Sequence, residues 1–337
     1  MKNVAVVGAT GAVGHELLAL LEARNFPVGK LLPLASSRSA GSTITFRGEP
    51  VTVEEATPEA FAGMDLVFFA ATGSLSRELA PAAARAGAVV IDKSSTWRMD
   101  PEVPLVVPEV NPEDLRKHKG IISSPNCTTI GLVMALKPLH DVAPITRVIV
   151  TTMQAVSGTG KEAIEELEQQ TRAWVEGREG ELPHTVYKRQ IAFNVLPYAE
   201  TFTENLYTTE ELKLSAETRK IMGLPDLPVT MTCTRVPVFV GHSESVLVEF
   251  ERKVTPEEAR EALSRFPGVR VVDDPFQFVF PTAIDVAGTD DTLVGRIRED
   301  LTNEKGLWLW IVSDNLRKGA ATNAVQIAEK LLEMQLI

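Results

Sequence analysis

The chain has 337 residues, more than the roughly 100–200 usual for one domain, so two domains are expected. Hydrophobic residues at 44% and charged residues at 23% match ordinary globular proteins and exclude disordered and fibrous classes. Lys and Arg total 34 against 45 Asp and Glu, a formal charge of −11, which leaves no basic footprint for nucleic acid or an anionic membrane; an anionic ligand must be met by a few placed cations or helix N-termini. Two cysteines, Cys127 and Cys233, make no disulfide scaffold and point to a reducing compartment. The longest uncharged stretch, Gly120–Leu136, is broken by Ser, Pro, Asn and Thr, and glycines interrupt the N-terminal apolar run. Neither a membrane span nor a leader is expected, and the reading is cytoplasmic.

Val4–Val7 is an apolar run without polar alternation, as in a strand covered on both faces of a parallel sheet. Glycines follow, and then Val13, Leu17, Leu18 and Leu21 recur at helical spacing. Strands at Lys30–Ala35, Asp65–Ala70 and Ala88–Ile91, with a helix at Ser76–Ala86, continue the alternation and predict a doubly wound α/β domain of Rossmann type. Beyond Cys127, the runs Val148–Ala155, Val229–Val240 and Ser245–Phe250 are longer and Thr/Val-rich, predicting a second, α+β domain with a more open, largely antiparallel sheet. Gly160–Val175 reads as a helix, His184–Glu200 shows no period, and Ser313–Leu332 opens with polar capping candidates before a helical pattern. The expected division is 1–126, 127–312 and a C-terminal helix, 313–337, packing back on the first domain.

Two local features carry chemistry. Gly8-Ala9-Thr10-Gly11-Ala12-Val13-Gly14 lies between a strand and a helix, where backbone N–H groups can approach a pyrophosphate at the helix N-terminus. Its spacing is G-x-x-G-x-x-G, so ordinary loop chemistry remains the alternative. Past the second strand stand Ser36, Ser37, Arg38 and Ser39 with no acid to meet a ribose 2′-hydroxyl, which favours NADP unless Arg38 is merely a solvated surface charge. The second feature is Cys127, just before the apolar helical run Ile130–Leu136, where a helix N-terminus stabilises a thiolate. By itself an unpaired cysteine is more often a small core residue, the reading adopted for Cys233.

The motifs GATGAVG, SSTWR (Ser94–Arg98), SSPNCTT, QAVSGTGKEA (from Gln154), ETRK (Glu217–Lys220), TRVPVFVGHSE (from Thr234) and DNLRKGAATNAVQIAE (from Asp314) span almost the whole chain. Together, in this order, they resemble the aspartate-semialdehyde dehydrogenase family; QIAFNVLPY, from Gln190, does too.

The resemblance implies NADP-dependent interconversion of L-aspartate 4-semialdehyde and 4-phospho-L-aspartate, with inorganic phosphate as co-substrate, no metal, and a homodimer built by the second domain. Cys127 is then the nucleophile that becomes a thioester, and His242 the imidazole that takes the proton as the thiohemiacetal collapses. Gln154 orients the reacting carbonyl, although a strand-end amide satisfying backbone groups is the plainer reading. Arg235 holds the substrate carboxylate with its planar fork, Glu217 lies near the amino end, and Arg98, Asn126 and Lys220 take phosphate. Glu217 and Lys220, three apart, could instead be a helix-surface ion pair, and Arg235 an edge-strand salt bridge. Gly8, Thr10, Gly11, Ala12, Val13, Ser37 and Arg38 meet the cofactor from the first domain, and the resemblance adds Ser157, Gly158 and Asn315. One geometric tension remains: Arg235 and His242 are seven apart, on opposite faces of an ideal strand, unless Pro237 and Gly241 bend it. The rival readings are a phosphorylating dehydrogenase for another aldehyde, such as N-acetylglutamyl-phosphate reductase, and a non-catalytic dinucleotide sensor. The joint presence of Cys127, Gln154, Arg235 and His242 argues against the sensor.

Overall fold

A computed structural model describes residues 1–178, 180 and 182–337. These form two compact units, Met1–Asn126 with Ala320–Ile337, and Cys127–Gly319.

In the first unit, Lys2–Val7 (β1) leads through the glycine turn into Ala12–Ala23 (α1) and then Val28–Ala35 (β2). A small antiparallel hairpin, Thr43–Phe46 (β3) and Glu49–Thr52 (β4), and the short Glu54–Glu55 (β5) follow. Leu66–Phe69 (β6), Gly73–Arg85 (α2), Val89–Asp92 (β7) and Ile121–Ser123 (β8) complete the alternation. The main sheet has the order β5-β2-β1-β6-β7-β8, with every pairing parallel. Val4–Val7 and Leu66–Phe69 are essentially inaccessible, because helices cover both faces and the side chains of a strand alternate between them. The expected Rossmann-type domain is present. Ala321, Ala324, Ile327, Ala328 and Leu331 of the C-terminal segment belong to the same core as β1 and α1.

The second unit begins with Cys127–Val142 (α3), followed by Ile145–Gln154 (β9), Lys161–Val175 (α4), Thr209–Met222 (α5) and Val229–Arg235 (β10). Then come His242–Phe250 (β11), Pro256–Arg265 (α6), Val269–Val271 (β12), the short Ala283–Val286 (α7), Thr292–Glu299 (β13) and Gly306–Ser313 (β14). The sheet order is β10-β9-β11-β14-β13-β12, with β9–β10 and β12–β13 parallel and the three central pairings antiparallel. Helices α3, α5 and α6 pack against this sheet. On the residues that alternate with the buried set, Thr151, Thr230 and Thr232 are exposed and Ile149, Trp308 and Trp310 half-buried.

Two sequence expectations need correction. Val229–Val240 is not one strand: β10 stops at Arg235, the chain turns through Val236–Gly241, and β11 starts at His242 on the other side of β9. The turn crosses the end of β9, with Val236 N–H donating to Gln154 O and Val156 N–H to Val238 O. The C-terminal helix opens later than Ser313, because Gly306–Ser313 alternates as a strand. Asp314 Oδ1 accepts from the amides of Leu316 and Arg317, a wide π-helical turn spans Arg317–Thr322, and Asn323–Glu333 forms the last helix, α8. The aperiodic stretch 184–200 is irregular because α4 side chains replace its backbone partners. Glu166 accepts from the amides of Thr185, Val186 and Tyr187, and Gln170 Oε1 from those of Ile191 and Ala192. Burial opposes charge on Glu166, yet these donors outweigh it and hold its pKa below the usual carboxylate value.

Candidate active site

The glycine turn of the first unit has the shape of a phosphate cradle. Gly8 has φ +84°, and a Cβ there would lie 2.3 Å from Ala70 O; a Cβ on Gly14 would lie 2.2 Å from Gly8 O. Neither position tolerates a side chain, so the backbone of β1, β6 and α1 can close together. Thr10, Gly11 and Ala12 form the exposed tip, and no side chain caps the α1 N-terminus at Gly11. Its first-turn amides are thus left for an anion. Ser36, Ser37 and Arg38 are exposed at the end of β2, where Ser36 O accepts from the amides of Ser39 and Ala40. The cradle fits a dinucleotide.

In the second unit, Cys127 is the first residue of α3 and half-buried, while Cys233 is fully buried in β10. Burial raises the Cys233 thiol far above its usual pKa, which suits a core residue. Gly319 lets the chain pass Cys127 closely: a Cβ there would come within 2.9 Å of the Cys127 Cβ. One turn further along α3, a Cβ on Gly131 would lie 2.7 Å from Ser313 Oγ and 3.2 Å from Glu244 Oε1. Residues four apart share a helix face, so Cys127 faces the strand ends where Ser313 pairs with His242.

The crossing over β9 resolves the tension between Arg235 and His242. Arg235 pairs with Gln154 in the β10–β9 register, and Ser243, next to His242, pairs with Met153 on the other side. Two separate strands thereby bring both side chains to the end of β9. Arg235 Nη1 donates to Ala155 O at 2.7 Å, and Leu196, in the irregular stretch, bridges the Arg235 backbone. A Cβ on Gly158 would stand 2.9 Å from Arg235 Nη1 and 3.1 Å from both Cε1 and Nε2 of His242, so the two groups converge above this glycine. His242 Nδ1 accepts from Ala155 N–H at 3.0 Å. Burial, then the charge of Arg235, hold the imidazole pKa well below its usual value. The neutral ring therefore carries its proton on Nε2, a buried atom with no partner among the described residues. Sequence reasoning expects a base here; in this tautomer Nε2 is a donor, which suits holding an oxyanion.

A family model for "Semialdehyde dehydrogenase, NAD binding domain" matches residues 3–118, and one for "Semialdehyde dehydrogenase, dimerisation domain" matches 136–318. The aspartate-semialdehyde dehydrogenase of Aquifex aeolicus is 55% identical over 339 residues, covering 99% of each chain. The chain belongs to the aspartate-semialdehyde dehydrogenase family. The crystal structure of aspartate semialdehyde dehydrogenase II from Vibrio cholerae, complexed with ASA, is 45% identical with a TM-score of 0.96, covering 99% of this chain and 98% of that one. A Candida albicans family structure with NADP is 27% identical with a TM-score of 0.79, covering 100% of each chain.

The remaining family positions are placed as follows. Glu217 is buried and Lys220 half-buried on α5, so neither is a freely solvated surface charge. Arg98 and Asn126 are buried in the first unit, where Arg98 donates from Nε to Ser124 O and from Nη2 to Lys93 O. Ser157 and Asn315 are bonded to each other, with Asn315 Nδ2 donating to Ser157 Oγ at 2.9 Å, while Asn315 Oδ1 accepts from Gly241 N–H. Asn315 therefore ties the Val156–Thr159 turn to the residue before His242. Sequence reasoning missed Ala155, which sets the His242 tautomer through its backbone, Gly319 beside Cys127, and Thr152 and Glu210, which accept hydrogen bonds from Gln154 Nε2. A backbone role leaves no side-chain signal, and Glu210 hid beside the Thr208–Glu211 capping box of α5.

Proposed function

We propose that the chain oxidises L-aspartate 4-semialdehyde reversibly to 4-phospho-L-aspartate, using NADP and inorganic phosphate, at the step that feeds lysine, threonine and methionine synthesis. The observation that carries this reading is the convergence of Arg235 and His242 above Gly158, in the unit that opens with Cys127. Gly8, Thr10, Gly11, Ala12 and Val13 would hold the dinucleotide phosphates, and Ser37 and Arg38 the 2′-phosphate. When bound, NADP supplies the hydride acceptor.

The chain's own groups account for the rest. The Cys127 thiol releases its proton to water, the helix N-terminus stabilises the thiolate, and the thiolate bonds to the aldehyde carbon. The carbonyl oxygen becomes an oxyanion, and the Nε2–H of His242 donates to it. With the alkoxide already formed, no base is required when the carbon is oxidised and Cys127 is left as a thioester. Phosphate, met by Arg98, Asn126 and Lys220, bonds to the acyl carbon, releases its proton to water and displaces the sulfur, which leaves as the thiolate. Arg235 grips the α-carboxylate with its fork, and Glu217 stands toward the amino end.

A homodimer through the sheet face of Ile149, Thr151, Thr230, Thr232, Trp308 and Trp310 agrees with the matched dimerisation domain. The test follows NADPH absorbance with aspartate semialdehyde as the substrate. Formation should require both phosphate and NADP; turnover that ignores phosphate, or an equal rate with NAD, refutes the corresponding part of the reading.

A further inference from the structure

Gln154 is the site residue whose polarity the surrounding fold sets. Its Nε2 donates to Glu210 Oε1 and to Thr152 Oγ1, both at 3.3 Å. An amide nitrogen has two hydrogens, so both are turned inward and the acceptor Oε1 is the end left over; an acceptor cannot donate to the reacting carbonyl, the role the resemblance implies for Gln154.

Glu210, in the first turn of α5, is 4% exposed. Its carboxyl hydrogen-bonds that of Glu200, which also accepts from Thr209 Oγ1 at 2.6 Å and from Lys213 Nζ at 2.6 and 2.8 Å. Two bonded carboxyl groups share one proton. Lys213 and Thr209 stabilise charge on Glu200, so the proton sits on Glu210, which donates to Glu200 and keeps Oε1 as an acceptor. A flipped Gln154 amide would set oxygen against oxygen there. The chain of polarity runs from Lys213 through Glu200 and Glu210 to Gln154.

From this geometry we propose that Glu210 is a positioning residue that fixes Gln154 as an acceptor, so that the site reads a donor on the substrate's α-carbon, its ammonium group. Gln154 and Arg235 are register partners on adjacent strands, which lie about 4.8 Å apart, and the α-carboxylate and α-ammonium of an amino acid share one carbon. An Arg235 that grips the carboxylate therefore puts the ammonium beside Gln154. The inference rests on the amino-aldehyde reading given above.

The test compares kcat/KM for aspartate semialdehyde with that for 4-oxobutanoate, which keeps the carboxylate and aldehyde but lacks the ammonium, using the full chain with phosphate and NADP. The wild-type chain should prefer the amino substrate. Glu210→Met should lower kcat/KM for the amino substrate tenfold or more and change that for 4-oxobutanoate less than twofold. Glu210→Gln, which can donate to Glu200 and accept from Gln154, should restore the preference. Equal losses on both substrates in Glu210→Met make Glu210 a merely structural residue and overturn the proposal. If Glu210→Met does not melt cooperatively, Gln154→Met takes its place, and an unchanged preference in that variant overturns it too. A wild-type chain that oxidises neither aldehyde refutes the function above and this inference with it.

Discussion

Gly158→Ala probes the convergence of Arg235 and His242 without touching either. Gly158 does not need a left-handed φ, so alanine fits its backbone, and the substitution stabilises by about 0.4–1 kcal/mol through the unfolded chain where nothing clashes. Here something does. The new methyl would sit 2.9 Å from Arg235 Nη1 and 3.1 Å from the His242 ring, against an ordinary contact of 3.4 Å or more. Each group must retreat by a few tenths of an ångström. Arg235 cannot do so without lengthening its 2.7 Å bond to Ala155 O, nor His242 without disturbing its 3.0 Å bond from Ala155 N–H. A displacement of about 1 Å costs roughly 100-fold in rate, so about half of that should cost roughly tenfold, near 1.4 kcal/mol at the transition state. Steady-state kcat/KM for aspartate semialdehyde reads this loss, thermal melting checks that the fold persists, and a separate NADP titration sets aside any lost cofactor contact. A kcat/KM within twofold of wild type, with nucleotide affinity unchanged, would refute the convergence.

The other predictions concern single groups. Burial raises the pKa of Glu244, which has no hydrogen-bond partner among the described residues, well above its usual value. The folded chain thus keeps a proton that the unfolded chain releases, and this contribution is full below the unfolded pKa and lost as pH rises toward the folded one, by at most about 1.4 kcal/mol per pH unit. Glu244→Gln should therefore gain stability relative to wild type between about pH 5 and 8 in chemical denaturation; parallel pH profiles would contradict it. Cys127→Ser should abolish turnover while NADP still binds, whereas Cys233→Ser keeps activity, and the opposite pattern in a rate assay would move the nucleophile. Arg38→Ala should weaken NADP by about 1.5–3 kcal/mol in titration and leave NAD nearly unchanged, since only NADP offers a 2′-phosphate; equal effects on both would remove Arg38 from that role.

Much of the site was legible because its signals are local. A glycine turn between a buried strand and an amphipathic helix needs only a few consecutive residues, and the structure shows why Gly8 and Gly14 admit no Cβ. Cys127 stands at a helix start for the same local reason. The motif order along the chain pointed to the family without any geometry. The stretch 184–200 was illegible because its order comes from Glu166 and Gln170 of α4, side chains that satisfy its amides from outside.

Arg235, Gln154 and His242 mark the limit of sequence reading. The motifs' resemblance to the family implied that a carboxylate-binding fork, an amide and an imidazole belong to one chemistry, and each residue type carries its own donors and charge wherever it lies. Their facing was decided by the tertiary structure. Along the sequence Arg235 and His242 fall on opposite sides of a strand; in the fold they end and begin two strands on either side of β9, joined by a turn across its end. Protonation and polarity were decided there too, since the amide of Ala155 leaves the His242 proton on Nε2, and Glu210 with Thr152 turns the oxygen of Gln154 outward. The contacts of Ala155 with His242 and of Glu210 with Gln154 join residues tens of positions apart, and a hydrogen bond has a direction only once both partners are fixed in space.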